Sequence, residues 1–172
     1  MISYKNNGSG WMDQETFTEW FQNIFVPLVK RTREKEYIDT KDQRSLSAQY
    51  LLIYDGHTSH YSYNLLKSAI DNNIDVIVTP AHMTHKVQPL DVAIFRHFKP
   101  ALEEEYISIM ANKPFREVSA NGELIRAIAK VYIRTVTDKI VKRGFVQSGI
   151  FPWNPEEALK SIPGWGKQLE LL

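Results

Sequence analysis

The chain has 172 residues, which is enough for one domain with a substantial core, or one domain with a small appendage. Its 43% apolar and 24% charged residues are typical of a globular protein, and no stretch approaches the roughly 20 apolar residues of a membrane span. The N-terminus lacks the layout of a secretory signal, and the absence of cysteine excludes disulfides and thiolate metal sites, which fits an intracellular protein. With a net charge of +1, nucleic-acid binding has to be argued from the arrangement of the cations.

The first predicted elements are a loop over residues 1–10, an aromatic helix and a polar connection. The helix is predicted from Asp13 to about Val29, with apolar side chains that recur at three- and four-residue spacing and face the core. These side chains are Phe17, Trp20, Phe21, Ile24, Phe25 and Leu28. The charged residues from Lys30 to Gln49 are predicted to form an exposed, mobile connection.

A strand, a helix and a second strand follow within about 30 residues, which predicts a βαβ unit with parallel strands and a right-handed crossover. The strands are Tyr50–Tyr54, apolar enough for burial on both faces, and Ile74–Thr79. The helix between them runs from about Tyr61 to Asn72, and Asn72-Asn73 suits its C-terminus because asparagine tolerates the left-handed conformation. Its predicted buried residues are Leu65, Leu66, Ala69 and Ile70.

Two longer helices and a short one are predicted in the second half of the chain. Pro89 opens the first, whose buried face comprises Leu90, Ile94, Phe95, Phe98 and Leu102. The second runs from about Gly122 to Arg143 and is ended by Gly144, with Ile125, Ile128, Ala129, Tyr132, Val136 and Ile140 on its apolar face. Asn154 is the predicted N-cap of the last helix, with Pro155 at its first position and Glu157 completing a capping box.

Two acidic residues stand where the buried strands run out. Asp55 ends the first strand and is followed by Gly56, and Asp91 lies one loop beyond the second strand. Ligands gather outside the carboxyl ends of parallel strands, so the topology can bring both carboxylates to one mouth of the sheet, where they could share Mg²⁺. The alternatives are an ordinary Asp-Gly turn and a first-turn acid favoured by the helix dipole.

Histidines and cations lie near these acids. The pairs His57/His60 and His82/His85 invite a zinc interpretation, but loops without cysteine favour hydrogen bonding around the acidic pocket, or contact with phosphate. Arg96 and Lys99, downstream of Asp91, are placed to touch a nucleic acid bound there. A stripe of further cations indicates either a phosphate-tracking face or the solvated side of an amphipathic helix. It comprises Arg126, Lys130, Arg134, Lys139, Lys142 and Arg143.

Several segments together resemble the DDE superfamily endonucleases, the transposases of the pogo, Tigger and jerky-like group to which centromere protein B is related. The segments are Tyr54–His60, Thr79–His85, Gln88–Asp91 with Phe95 and Lys99 downstream, Gly8–Met12, and Gly144-Phe145 with Pro152–Pro155. The resemblance implies an α/β, ribonuclease-H-like fold and three acids that bind two Mg²⁺ or Mn²⁺ ions. Asp55 matches the second acid and Asp91 the third.

The family's first acid lies upstream of the segment that ends at Trp11, and none of the ten residues before Trp11 is acidic. The fold is therefore expected to be incomplete, without most of the N-terminal antiparallel hairpin, and to carry additional C-terminal helices. Two ions on two carboxylates are under-ligated, because Mg²⁺ demands near-ideal octahedral geometry. We expect residues 1–112 to form a partial catalytic core and residues 113–172 a helical extension of it.

The resemblance implies a transposase-derived endonuclease domain that cleaves DNA phosphodiesters and transfers strands with divalent metals, impaired here for want of the first acid. The alternative is a catalytically inactive, domesticated module that binds nucleic acid or protein. Asp55 and Asp91 are the expected catalytic and metal-binding residues. The expected DNA contacts are His57, His60, His82, His85, Arg96 and Lys99. DNA is the expected partner, bound weakly and without sequence preference, in the nucleus; no membrane or small-molecule substrate is expected, and a homo-oligomer stays open.

Overall fold

The computed structural model describes residues 11–80, 82–111 and 120–160. The chain divides into two compact units, Met1–Ala81 and His82–Leu172. The predicted loop at residues 1–10 and the predicted boundary between residues 112 and 113 lie outside the described residues. In the described ranges, no helix is long and apolar enough to cross a membrane.

The first unit opens with a long helical segment that begins where the sequence predicts. Asp13 caps it, because its Oδ1 accepts a hydrogen bond from the Thr16 N–H at 2.7 Å. The segment consists of α1 (Gln14–Trp20), a π-helical turn (Phe21–Phe25) and α2 (Val26–Thr40). The helix therefore continues well beyond the predicted end at Val29.

The π-helical turn changes which side chains face the core. In this turn the Val26 N–H bonds to the Phe21 carbonyl, five residues back, so one extra residue enters the helical repeat. Val26 and Val29 are consequently buried, whereas Ile24 and Leu28 are 40% and 55% exposed. The prediction that Ile24 and Leu28 face the core was wrong, because it assumed an unbroken α-helical period.

Arg33 explains why the predicted mobile connection is a helix. Its side chain is buried, its Nε donates to the Ala48 carbonyl at 2.9 Å, and its Nη2 donates to the carbonyls of Asn72 and Asn73 at 2.9 and 3.0 Å. The guanidinium also lies 5.2 Å from the ring centroid of Tyr50. These contacts tie α2 to the start of the sheet. Residues 30–49 are mostly exposed, as predicted, but they form a helix and a 3₁₀ turn anchored by Arg33, so the prediction of a mobile connection was wrong. A 3₁₀ turn, Gln43–Ser47, completes the segment.

The predicted strand, helix and strand are present, as β1 (Tyr50–Asp55), α3 (Tyr63–Asp71) and β2 (Ile74–Thr79). The two strands are parallel and in register from the pair Tyr50–Ile74 to the pair Asp55–Thr79. Asn73 adopts the left-handed conformation with a φ of 51°, as the sequence predicts for the end of this helix. The described residues thus form a helix-rich α/β arrangement with a two-stranded parallel sheet.

The described part of the sheet buries one face. Tyr54 and Ile74 point into a core that also holds six buried residues of the surrounding helices, Phe17, Phe21, Val26, Val29, Leu65 and Ala69. Leu51 and Ile77 point to the opposite face and are 45% and 51% exposed, because side chains alternate along a strand. The prediction that both faces of the strands are buried was wrong at Leu51 and Ile77. The separate prediction that Leu66 and Ile70 are buried was also wrong, because both lie on the outer side of α3.

The second unit is helical in its described residues. It contains α4 (Thr84–Val87), a π-helical turn (Leu90–Ile94), α5 (Phe95–Ala111), α6 (Ala120–Thr135), α7 (Asp138–Gln147) and α8 (Pro155–Lys160). Pro89 opens the segment that leads into α5, as predicted. The π-helical turn again shifts the buried face, so Ala93 and Ile94 are buried while Leu90 is 40% exposed. The prediction that Leu90 is buried was wrong for the same reason as in the first unit.

The single helix predicted over residues 122–143 is two helices. Thr137 starts α7, since its Oγ1 accepts from the Ile140 N–H at 3.4 Å. Among the described side chains of α6, Ala127 and Val131 are the buried apolar ones, and Glu123 is buried as well. Gly144 lies inside α7 instead of ending a helix. A Cβ at this position would stand 2.8 Å from the Pro89 carbonyl oxygen. The glycine therefore permits α7 to pack closely on the start of the preceding helical segment.

The last helix begins at Pro155, as predicted. The predicted capping box is absent from this described segment, because the Asn154 N–H donates to the Gly149 carbonyl at 2.8 Å. The Glu157 carboxylate instead accepts from Lys160 Nζ at 2.6 Å.

Candidate functional site

Asp55 is the last residue of β1, so its side chain leaves the sheet at the carboxyl end of the strand. Its Oδ1 accepts from the His57 N–H at 3.2 Å and lies 2.7 Å from His60 Nδ1. The side chain is 43% exposed, and its Oδ2 has no hydrogen-bond partner in the described part of the chain. One carboxylate oxygen is therefore held by the loop, in a side chain that is partly exposed.

His60 holds the Asp55 carboxylate from a partly enclosed position. Its Nδ1 also lies 3.1 Å from the Asp55 carbonyl oxygen, and because both partners are acceptors, Nδ1 carries the proton. The ring centroid stands 4.2 Å from that of Phe17 and 5.3 Å from that of Tyr54, and the side chain is only 16% exposed. Packing from α1 and β1 thus sets the orientation of the ring, which in turn orients the acid.

His57 organises the same loop through the opposite tautomer. Its Nδ1 accepts from the Ser59 N–H at 3.3 Å and lies 2.8 Å from Ser59 Oγ, so the proton of a neutral ring belongs on Nε2. The ring caps the 3₁₀ turn Thr58–His60 and is itself exposed. Both histidines therefore hydrogen-bond the loop around Asp55, as the sequence suggested.

Asp91 belongs to the second unit, where it occupies the first turn of the helical segment opened by Pro89. Its side chain is half-buried. The backbone before it is held by the Val92 N–H, which donates to the Gln88 carbonyl at 3.0 Å, and by the approach of Gly144 to Pro89. Asp91 thus stands on a supported helix start.

The other candidate phosphate contacts share the second unit with Asp91 and are exposed: His82, His85, Arg96 and Lys99. His82 has a φ of 61°, a left-handed conformation that is uncommon for a residue other than glycine. Lys99 Nζ lies 5.1 Å from the ring centroid of Phe95, one turn earlier on α5. The structure thus brings Asp55, His57 and His60 together in one unit, and it places the remaining candidates on one stretch of the other.

The donor chemistry of Asp55 and Asp91 fits a hard divalent cation, for which carboxylate oxygen is the preferred ligand. Over the ranges that the structure describes, no group of three histidine or acidic side chains stands together to hold a metal. At each of the two positions the ligand type therefore suits a hard cation, but the described residues do not assemble a complete set of ligands.

The stripe of cations predicted on one helix divides into two parts. On α6, Lys130 Nζ lies 2.7 Å from Glu105 Oε1, and Arg134 lies 4.0 Å from Glu105 Oε2. Arg126 pairs with Glu123 at 3.1 Å. These cations of α6 are thus paired with acidic side chains. This fits the second of the two alternatives for the stripe, the solvated side of an amphipathic helix.

Sequence reasoning missed two residues that shape the site. Phe17 was predicted only as core, although it is the surface on which His60 packs. Arg33 was assigned to a mobile connection, although it fixes the far end of β1. Aromatic spacing gave a signal for the first, but a single arginine in a charged run gave none for the second.

Comparisons with known proteins agree with the resemblance seen in the motifs. A family model described as DDE superfamily endonuclease matches residues 1–145. The Jerky protein homolog of Homo sapiens is 32% identical and the Jerky protein of Mus musculus 33% identical, each over 97 residues, 56% of this chain and 16% of the relative. A Cochliobolus lunatus protein named MFS-type transporter clz9 is 25% identical over 154 residues, 90% of this chain and 15% of that protein.

The chain thus spans 15–16% of the length of these relatives. No solved structure is significantly similar to it. Because the family match extends over residues 1–145 of 172, it includes β1, the Asp55 loop, β2 and the helical segment of Asp91. The chain belongs to the DDE superfamily endonuclease family.

Proposed function

We propose that this chain is part of a transposase-derived DDE-type domain. It supplies two metal-binding carboxylates, Asp55 and Asp91, for the metal-dependent cleavage and transfer of DNA phosphodiesters. The observation that carries the proposal is the Asp55 loop. A carboxylate at the end of a parallel strand has one oxygen held by the His57 N–H and His60, and its side chain is 43% exposed. Such a preorganised oxygen ligand suits a hard cation.

The fold expected for this function is ribonuclease-H-like. Support comes from the parallel pair β1–β2, its connecting helix, and an acid at the carboxyl end of β1. In that fold the pair belongs to a larger sheet, and the segment opened by Pro89 supplies the second acid, Asp91.

Bound at these carboxylates, Mg²⁺ or Mn²⁺ would activate an attacking oxygen and stabilise the leaving oxygen of the phosphodiester. The role of the chain's own residues is to orient the Asp55 carboxylate and to contact DNA. His57 and His60 fix the Asp55 carboxylate, and His60 is kept in place by Phe17. The exposed side chains of His82, His85, Arg96 and Lys99 would contact DNA phosphates, and such contacts are strongly salt-dependent. DNA as a partner implies the nucleus as the place of action.

Isothermal titration with Mn²⁺ tests the proposed role of the two acids. Asp55→Asn and Asp91→Asn should each weaken Mn²⁺ binding by about tenfold or more, because each removes a charged oxygen ligand. Asp75→Asn is the matched control, since Asp75 is an exposed carboxylate on β2, and it should bind as the parent does. Unchanged binding in Asp55→Asn would reject the metal site and favour an inactive module that binds nucleic acid or protein.

The motifs match two of the family's three acids, so the 172-residue polypeptide alone is expected to bind DNA without cleaving it. Incubation of plasmid DNA with the protein and Mn²⁺ checks this expectation. Cleavage that disappears in Asp55→Asn would contradict it and would require a third ligand within the chain.

A further inference from the structure

Two large aromatic side chains stand in solvent on the turn between α7 and α8. Phe151 and Trp153 are 73% and 78% exposed. The Phe145 carbonyl accepts from the N–H groups of Ile150 and Phe151 at 3.1 and 3.2 Å, which fastens the turn to the last part of α7. These rings are therefore held out by a hydrogen-bonded backbone, and exposed aromatic groups of this kind mark interaction sites.

The conformation of this turn requires glycine at position 149. Its φ is +71°, and a Cβ at this position would stand 2.2 Å from the Asn154 carbonyl oxygen. The Asn154 N–H also donates to the Gly149 carbonyl, closing the turn around Phe151 and Trp153. The backbone that presents the two rings thus depends on a residue without a side chain.

The helix that leads into this turn is cationic on its exposed side. Lys139, Lys142 and Arg143 are exposed and lie at three- and four-residue spacing, so they share one side of α7. Within the described part of the chain none of the three forms an ion pair. The cations of α6 differ in this respect, because Lys130 and Arg134 are engaged by Glu105.

The cations and the aromatic turn are neighbours. Phe145 is three residues beyond Lys142, about one helical turn, and its carbonyl holds the Phe151 N–H. Exposed cations on α7 and exposed aromatic rings on the turn that follows it combine the two elements that bind single strands, namely contacts to phosphates and platforms on which bases stack.

We propose that α7 and the turn 149–153 bind single-stranded DNA, with Lys139, Lys142 and Arg143 on its phosphates and Phe151 and Trp153 stacked on its bases. This inference rests on the proposed function, DNA processing, and adds the form of DNA that the domain holds. Unpaired bases are favoured over duplex because a duplex keeps the faces of its bases stacked, whereas every unpaired base offers a face to an aromatic ring.

Fluorescence anisotropy with a labelled oligothymidylate of about 15 nucleotides, and with a duplex of equal length, tests the inference. Phe151→Ala/Trp153→Ala should weaken binding of the single strand by about tenfold or more and leave duplex binding within about twofold. Lys142→Ala/Arg143→Ala should lower the salt dependence by about 0.7 for each lost contact. The matched control is Arg31→Ala/Lys35→Ala, two exposed cations of α2, which should follow the parent.

Single-strand curves identical in the parent and Phe151→Ala/Trp153→Ala would overturn the inference and leave the proposed metal site standing. A loss of equal size on single strand and duplex would also overturn it, since stacking on unpaired bases would not be the cause. Tighter binding of oligouridylate than oligothymidylate would reject DNA as the occupant. A parent that binds neither DNA would reject this surface, whereas Mn²⁺ titration of the Asp55 and Asp91 variants tests the metal site independently. Because all the altered side chains are exposed, circular dichroism should show parent-like folding in each variant.

Discussion

At the scale of single residues, the arrangement of Asp55 depends on a histidine that is itself positioned by aromatic packing. His60 Nδ1 lies 2.7 Å from Asp55 Oδ1, and the ring centroid of Phe17 lies 4.2 Å from that of His60. Groups that orient a metal ligand typically change metal affinity by about 10–100-fold when removed. His60 is therefore a positioning residue whose effect on a metal acts through Asp55.

Replacing His60 should reveal this role. His60→Ala is expected to weaken Mn²⁺ binding by about tenfold, and His60→Asn, which keeps a donor group, should recover part of the loss. His97→Ala is the control, because His97 is exposed on α5. Equal affinities in the parent, His60→Ala and His60→Asn, measured by isothermal titration on folded protein, would contradict the positioning role.

Burial of Tyr54 gives a prediction about pH. Burial, reinforced by the neighbouring Tyr61, raises the pKa of the Tyr54 phenol above its usual value of 10.0. The unfolded chain therefore releases this proton at lower pH than the folded protein, and folding stability should fall as the pH rises above about 10. Urea unfolding between pH 8 and about 11 should show a shallower decline for Tyr54→Phe than for the parent. Parallel declines would show that Tyr54 does not contribute.

At the scale of elements, the π-helical turns decide which residues enter each core. In the first unit the extra residue moves burial onto Val26 and Val29, and in the second it leaves Leu90 exposed. The amphipathic pattern predicts where these helices lie, but it cannot reveal the inserted residue, because both phases contain apolar side chains. Tertiary packing selects the phase.

The matched pair Val29→Ala and Leu28→Ala tests this phase. Val29 is 2% exposed and Leu28 is 55% exposed. Val29→Ala should destabilise the protein by about 2 kcal/mol, because it removes buried apolar surface and leaves a cavity. Leu28→Ala should change the stability by no more than about 0.5 kcal/mol. Chemical unfolding measures both, and a larger loss for Leu28→Ala would contradict the observed phase.

The βαβ unit was the most predictable part of the fold. Two apolar runs, a short amphipathic helix between them and Asn72-Asn73 determine β1, α3, β2 and the left-handed residue, and all are present. The break before α7 was harder to predict, because Thr137 becomes a helix cap only when the chain has to turn there. Arg33 was unpredictable, since its carbonyl partners lie 15 to 40 residues away.

The candidate site was predictable to the extent that its chemistry is local. The loop from Asp55 to His60 forms its own hydrogen bonds, and hydrogen bonding of this loop was one of the two roles that the sequence left open for the histidines. The cations of α6 were not separable from those of α7 by sequence, because their difference lies in Glu105, which belongs to another helix. Partners that are distant in sequence were again the part that could not be predicted.

At the scale of the whole molecule, the two acids come from different units of the chain, Asp55 from Met1–Ala81 and Asp91 from His82–Leu172. The family match crosses both units, as it extends over residues 1–145. Our proposal gives each carboxylate the role of a metal ligand, so metal-directed chemistry should reach the chain beside Asp55 and beside Asp91.

Iron-directed backbone cleavage measures this most directly. Fe²⁺ in place of Mg²⁺, with ascorbate and peroxide, generates radicals that cut the chain beside the bound metal, and mass spectrometry locates the cuts. We expect cuts next to Asp55 and next to Asp91, loss of the first set in Asp55→Asn and of the second set in Asp91→Asn, and both sets in Asp75→Asn. The absence of cuts beside either acid, or cuts beside Asp55 that persist in Asp55→Asn, would contradict the proposed role of these carboxylates as metal ligands.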